Sequence, residues 1–317
     1  MDEENKSSTQ TRKYFWGNTP EEQDYYNLHN IKSTSSFFTS PRGLSLFTRS
    51  WLPLTPPRGI ICMVHGYGND ISWTFQSTAI FLASNGFACF ALDMEAHGRS
   101  QGLKAFVPDV NSVVEDYIAF FTSIVSSDEG YEKLPRFLYG ESMGGAICLL
   151  LQFNKPFFNG AVLIAPMCKI SDKVRPKWPI PEILMVVAKF APRLAIVPTE
   201  DLVDKSVKVP EKRIIGGMNP VRYTGKPRLG TVMELLRVTE DLSRRLSEVE
   251  IPFIVLHGDA DAVTDPDVSK ELFDKAKSVD KSLKVYQGMW HSLLFGETDE
   301  NVEVVRRDIL EWLNDRC

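Results

Sequence analysis

With 317 residues, 43% of them hydrophobic, the chain can bury a large core, as one domain or as a domain with an insertion. A net charge of -5 and the lack of any long Lys/Arg block exclude an electrostatic nucleic-acid footprint. No apolar run reaches the roughly 18 residues of a membrane span, and Met1 to Ser8 hold no apolar leader, so a soluble, cytoplasmic protein is expected.

Residues 1–34 are polar and charged, with aromatic islands at Tyr14 to Trp16 and Tyr25 to Tyr26, and read as a mobile or loosely docked arm. Phe37-Phe38 and Leu44 to Leu52 predict two strands joined across the turn-rich Ser40-Pro41-Arg42-Gly43. Ile60 to Val64 is an apolar run of strand length. Ser72 to Ala83 reads as a helix ended by Asn85-Gly86, and Phe87 to Leu92 as another buried strand. Between Pro108 and Val125, apolar residues at 110, 113, 114, 117, 118 and 121 repeat with the 3.6-residue period of an amphipathic helix.

Four more strands are expected at Phe137 to Tyr139, Ala161 to Ala165, Phe253 to Leu256 and Leu283 to Tyr286. Helical patterns follow at Ala146 to Phe153, Asp267 to Lys277 and Asn301 to Leu313. Strands alternating with helices predict an α/β fold, a mostly parallel sheet with helices on both faces. The interval 166–250 breaks the rhythm: it has nine prolines, no good strand, and an apolar segment from Ile180 to Val197. A structureless loop of that length is improbable in a compact domain, so a helical cap over the sheet is expected. The core is then 35–165 and 251–317. Ile183, Leu184, Val187, Phe190, Ala191 and Leu194 form one helical stripe, expected to pack inward, with substrate or membrane contact as the alternative.

Gly140-Glu141-Ser142-Met143-Gly144 fits Gly-x-Ser-x-Gly, but so does Gly98-Arg99-Ser100-Gln101-Gly102. Only the first has a strand directly before it and a helix directly after, the context that exposes a serine on a sharp turn, so Ser142 is the candidate nucleophile. A serine needs a base within hydrogen-bond reach, itself oriented by a carboxylate. His291 follows the last predicted strand and precedes the final helix, and is the best of five histidines. His65 is better placed to shape a loop, His97 and His257 read as structural, and His29 lies in the arm. Asp259, Asp261, Asp265 and Asp267 compete for the acid. Asp261 leads, because Asp259 suits a turn while Asp265 and Asp267 flank Pro266 as helix-start signals. The order Ser, Asp, His is that of an α/β-hydrolase, in which the backbone amides of Met143 and Tyr67 would hold the oxyanion.

No histidine pair has zinc spacing, so neither metal nor cofactor is expected. Cys62, Cys89, Cys148, Cys168 and Cys317 are scattered, and buried thiols are expected rather than disulfides. Asn5-Lys6-Ser7 fits a glycosylation acceptor that is irrelevant without a signal peptide.

His65-Gly66-Tyr67-Gly68, Asp93 to Ser100, Gly140 to Gly145, His257 to Asp261 with Val263 and Pro266, and Trp290-His291 together make the chain resemble the monoacylglycerol lipase family of serine α/β-hydrolases. The likeness is to its plant branch in particular, which includes caffeoylshikimate esterases. It implies Ser142, Asp261 and His291 as a triad, Tyr67 and Met143 as oxyanion donors, and a mobile lid at the cap. One departure stands out: Ala96 replaces the glycine that many relatives carry before His-Gly, which should alter that loop locally.

A small-molecule ester is the expected partner. Hydrolysis of a monoacylglycerol leads, with a hydroxycinnamoyl ester or a lysophospholipid, or acyl transfer, as alternatives and peripheral membrane contact through the cap as an accompaniment. His65 with Asp70 also fits His-x-x-x-x-Asp, an acyltransferase pattern. From another class, a non-catalytic receptor could use the same pocket. Oligomeric state has no sequence signal.

Overall fold

The computed structural model describes residues 17, 21–154, 157–169, 180–197 and 201–317. In chain order the elements are α1 (Glu22–Leu28), β1 (Ile31–Thr39), β2 (Ser45–Pro53), β3 (Gly59–Val64), α2 (Gln76–Ser84) and β4 (Phe87–Leu92). After them run α3 (Val110–Val125), α4 (Glu129–Glu132), β5 (Arg136–Glu141), α5 (Met143–Asn154), β6 (Gly160–Ile164), α6 (Ile180–Phe190) and α7 (Leu202–Ser206). The chain closes with α8 (Pro210–Gly217), α9 (Leu229–Arg245), β7 (Phe253–Gly258), α10 (Pro266–Lys275), β8 (Lys281–Tyr286) and α11 (Asp299–Asn314).

The strands form one sheet in the order β1-β2-β4-β3-β5-β6-β7-β8. β1 with β2 and β2 with β4 pair antiparallel, and every later pair is parallel. The parallel strands β3, β4, β5, β6 and β7 are apolar because helices cover both faces. One face packs against α3, α5, α9 and α10 through Tyr117, Phe121, Leu149, Leu242 and Leu272. The other packs against α1, α2 and α11 through Tyr26, Ile80, Val305, Ile309 and Trp312.

Each expected strand is present, and the helices differ at their ends. The helix expected from Ser72 begins at Gln76, because Ser72 and Trp73 lie in a turn that Asp70 holds by accepting from the Ser72 amide at 2.7 Å. The expected loose arm needs correction for its second half. Residues 22–28 form α1, residue 31 opens β1, and Tyr26 and Ile31 are buried. A polar hub accounts for this: Gln76, wholly buried, accepts at Oε1 from Tyr26 (2.6 Å), Arg49 (3.1 Å) and Trp51 (3.2 Å). Tyr14 to Trp16 and Asn5 to Ser7 lie outside the described residues.

Between β6 and β7 the described chain is helical, in α6, α7, α8 and α9. The inward stripe expected along α6 also needs correction: Phe190 is 86% exposed and Leu194 46%, while Leu184, Val187 and Ala191 are half-buried. The side chain of Ile183 lies outside the described residues. Cys62, Cys89, Cys148 and Cys168 are buried free thiols, and Cys317 is an exposed one. No helix among the described residues is long and apolar enough to cross a membrane.

Candidate active site

Ser142 stands alone between β5 and α5, with φ +53°, in the left-handed region that a non-glycine residue rarely enters. Its backbone is fixed on both sides. The amide donates to Ile164 O at the end of β6 (2.9 Å), and the carbonyl accepts from Gly145 (2.9 Å) and from Met167 (3.0 Å). So sharp a turn brings α5 against the end of β3, where a Cβ on Gly144 would lie 2.2 Å from Val64 O. Met143 opens α5, so its amide has no acceptor within the helix and sits at the positive end of the helix dipole.

The loop after β3 carries Tyr67. Its phenol donates to Ala105 O at 3.1 Å, and the Thr231 hydroxyl of α9 donates to the same carbonyl at 3.1 Å. Beneath it lies His65, wholly buried. The Met94 amide donates to its Nε2 (3.0 Å), and its Nδ1 donates to Gly66 O (2.8 Å). Burial, then the neighbouring His97, pushes its pKa down to about 3. With both nitrogens engaged, His65 has no lone pair for a substrate. Asp70, the other half of the acyltransferase pattern, accepts instead from Ser72 and, at 2.5 Å, from Asn219 Nδ2. Ser100 is equally committed: its hydroxyl donates to Asp93 O and accepts from Phe47 N at 2.8 Å.

At the far side, β7 and β8 end beside each other and deliver Asp261 and His291. His291 Nδ1 donates to Asp261 Oδ2 at 2.6 Å, which leaves Nε2 as the nitrogen free of that bond. Asp261 Oδ1 accepts from the amides of Val263 (2.7 Å) and Thr264 (3.0 Å). Oδ2 also accepts from the Thr264 hydroxyl (2.8 Å) and His257 Nε2 (3.0 Å). Burial opposes ionisation here, yet the hydrogen bonds from His257 and His291 outweigh it and hold the carboxyl well below its ordinary range.

The competing aspartates have other tasks. Asp259 accepts from Gly288 N at 2.6 Å, and Asp265 caps α10 through the Asp267 amide at 3.0 Å. Ala96 occupies the departure noted in the sequence with φ +65°, the conformation a glycine would adopt freely.

Ser142 and His291 line one cavity of about 190 Å³. Trp73, Leu202, Val203, Asn219, Arg222 and Tyr223 form much of the rest of its wall. Trp73 and Asn219 also tie the wall down, since Trp73 Nε1 donates to Ile215 O at 2.8 Å. Sequence reasoning missed both, along with Thr264 and Glu297. Glu297 is wholly buried and accepts from the Trp290 amide at 2.7 Å, fixing the backbone beside His291. Thr264, three residues after Asp261, was legible as a turn former; nothing in the sequence marks Glu297. Among the described residues no cluster of three or more His, Cys, Asp or Glu side chains could hold a metal ion.

The family described as Hydrolase_4, serine aminopeptidase S33, matches residues 55–299. The chain is 42% identical over 305 residues to caffeoylshikimate esterase of Arabidopsis thaliana, covering 95% of this chain and 91% of that one. It is 30% identical over 301 residues to the monoglyceride lipase of Homo sapiens, covering 94% of each. Among solved structures, a soluble variant of monoglyceride lipase from Saccharomyces cerevisiae in complex with a substrate analog superposes with a TM-score of 0.77. At 24% identity, over 89% of this chain and 94% of that one, this is a likeness of fold.

Proposed function

Because the chain belongs to the Hydrolase_4 family, serine aminopeptidase S33, and is a serine ester hydrolase of the α/β class, we propose that it cleaves a monoacylglycerol-type ester through Ser142, His291 and Asp261. The observation that carries the assignment of roles is the 2.6 Å bond from His291 Nδ1 to Asp261, on a histidine that shares its cavity with the strained Ser142. In this reading His291 Nε2 removes the Ser142 proton as the hydroxyl attacks the ester carbonyl, and returns it to the leaving alcohol. An acyl-enzyme remains, and water activated by the same nitrogen releases the acid. The amides of Met143 and Tyr67 receive the oxyanion, a contribution on the order of 3 kcal/mol per donor. Asp261 keeps the hydrogen on Nδ1 and stabilises the imidazolium.

The lipid reading draws on the exposed apolar side chains of α6 and of the residues that follow it. We take the segment from 166 to 250 as a cap, and its described apolar side chains Met185, Val186, Phe190, Leu194 and Ile196 are 43% to 86% exposed. Such an area suits contact with an aggregated or membrane-borne substrate. A second reading, hydrolysis of a hydroxycinnamoyl ester, is favoured by the 42% identity to caffeoylshikimate esterase.

One panel separates them: purified protein and Ser142→Ala with a monoacylglycerol, a lysophospholipid, a caffeoyl ester and an aminoacyl anilide. Glycerol release lost in Ser142→Ala supports the first reading. Preference for the caffeoyl ester replaces it with the second, and turnover that survives Ser142→Ala refutes the assigned nucleophile.

A further inference from the structure

His257 lies at the end of β7, wholly buried, and the chemistry above makes no use of it. Its Nε2 is surrounded by acceptors, Asp261 Oδ2 at 3.0 Å and Thr264 O at 3.1 Å, so that nitrogen carries the hydrogen. Its Nδ1 faces the Ser269 hydroxyl of α10 at 2.7 Å, and Ser269 is itself wholly buried. Two imidazoles therefore donate to one carboxylate oxygen. A structural histidine needs satisfied nitrogens, but nothing about packing requires that it share the oxygen that His291 uses.

We propose that His257, braced by Ser269, is a positioning residue: its Nε2–H takes part of the Asp261 Oδ2 charge and so sets how firmly that oxygen holds His291. The inference rests on the reading of Ser142, Asp261 and His291 given above. The titratable groups facing the two rings are Asp261 between them, Glu141, which lines the cavity with His291 and is influenced by its charge, Arg222 and Tyr223 on the wall of the same cavity, and buried Glu297 on the Trp290 amide. Arg213 lies over the adjacent Trp290 ring at 5.9 Å. Thr264 and Ser269 are neutral.

When the His257 donor is removed, Asp261 Oδ2 presents more charge to His291 and stabilises its imidazolium. The acid limb of kcat/KM, which reports the free base, then moves to higher pH. Profiles on a soluble p-nitrophenyl ester would be measured for the wild type, His257→Phe, His257→Gln and Ser269→Ala, with thermal melts to verify folding. In His257→Phe the limb moves up by about one pH unit, the effect of one hydrogen bond to a charged group. His257→Gln, which restores an N–H donor, brings it back, and Ser269→Ala gives a smaller shift in the same direction. A limb that stays in place in His257→Phe while the plateau falls overturns the inference; if that variant does not fold, an unmoved limb in Ser269→Ala does so. Ser142→Ala separates the two failures. If it is inactive and the limb is immobile, only the role of His257 is lost; if it is active, the reading of the whole site is.

Discussion

Asp93→Asn should reverse its effect on stability across the pH range. Asp93 is wholly buried, and its two oxygens accept from the amides of Ile71 (2.8 Å) and Arg99 (2.9 Å). Burial first, then the charge of Asp70, raises its pKa from an ordinary 3.8 to about 7. A carboxyl whose folded pKa is raised contributes stability that is present below the unfolded pKa and lost as pH rises through the folded one. The gap from 3.8 to about 7 corresponds to about 4 kcal/mol, lost between about pH 4 and pH 7.

Asparagine never ionises, but it keeps one acceptor where the carboxyl offered two, at a cost of about 1–3 kcal/mol for the amide left unpaired. The variant is therefore the less stable protein at about pH 4 and the more stable one at about pH 8. Urea unfolding at several pH values, with buffers of equal ionic strength, measures the crossing. Parallel curves, with one constant gap at every pH, would refute the reasoning. Because Asp70 is raised too, the variant keeps a residual slope of the same sign.

Three further outcomes follow from the same geometry. Tyr26→Ala removes a buried ring and one donor to Gln76, and should cost about 3 kcal/mol or more; a melt unchanged from wild type would return residues 21–34 to the status of an arm. Trp73→Phe deletes the bond to Ile215 O, loosening the cavity wall. It should raise KM several-fold with a stability cost of about 1 kcal/mol, and an unchanged KM in steady-state assays would remove Trp73 from the wall's support. Phe190→Ser changes an 86% exposed side chain, so stability should hold within about 0.5 kcal/mol. Turnover of emulsified or vesicle-borne ester should fall while that of a soluble ester does not; equal loss on both would refute surface contact through α6.

The parts legible in the sequence were those whose physics is local. Ile60 to Val64, Phe87 to Leu92 and Phe253 to Leu256 announce themselves because a strand buried on both faces must be apolar throughout. The turn at Ser142 is legible because glycine alone fits where α5 meets β3. The structure brings Asp261 and His291 together as the order along the chain suggested, and gives Asp259 and Asp265 the turn and cap that their positions suggested. What stayed hidden depends on partners far along the chain. Tyr26 reads as part of a polar arm until Gln76, Arg49 and Trp51 are placed beside it. Phe190 falls on a plausible inward stripe because periodicity finds the apolar face of a helix without saying what lies opposite. Two Gly-x-Ser-x-Gly matches were separable only by their flanks, and Ser100 proved to be bonded to Asp93 and Phe47.

The strand of chain that holds His291 is stitched to the helices above it. Ser292 N donates to Ser206 O (3.0 Å), Lys208 N and Val209 N donate to Gly296 O (2.9 and 3.0 Å), and Lys212 Nζ donates to Glu297 O (2.7 Å). An outward swing of α7 and α8 would thus pull on the backbone that carries the imidazole. The same four bonds would let an occupied cavity report itself to the base.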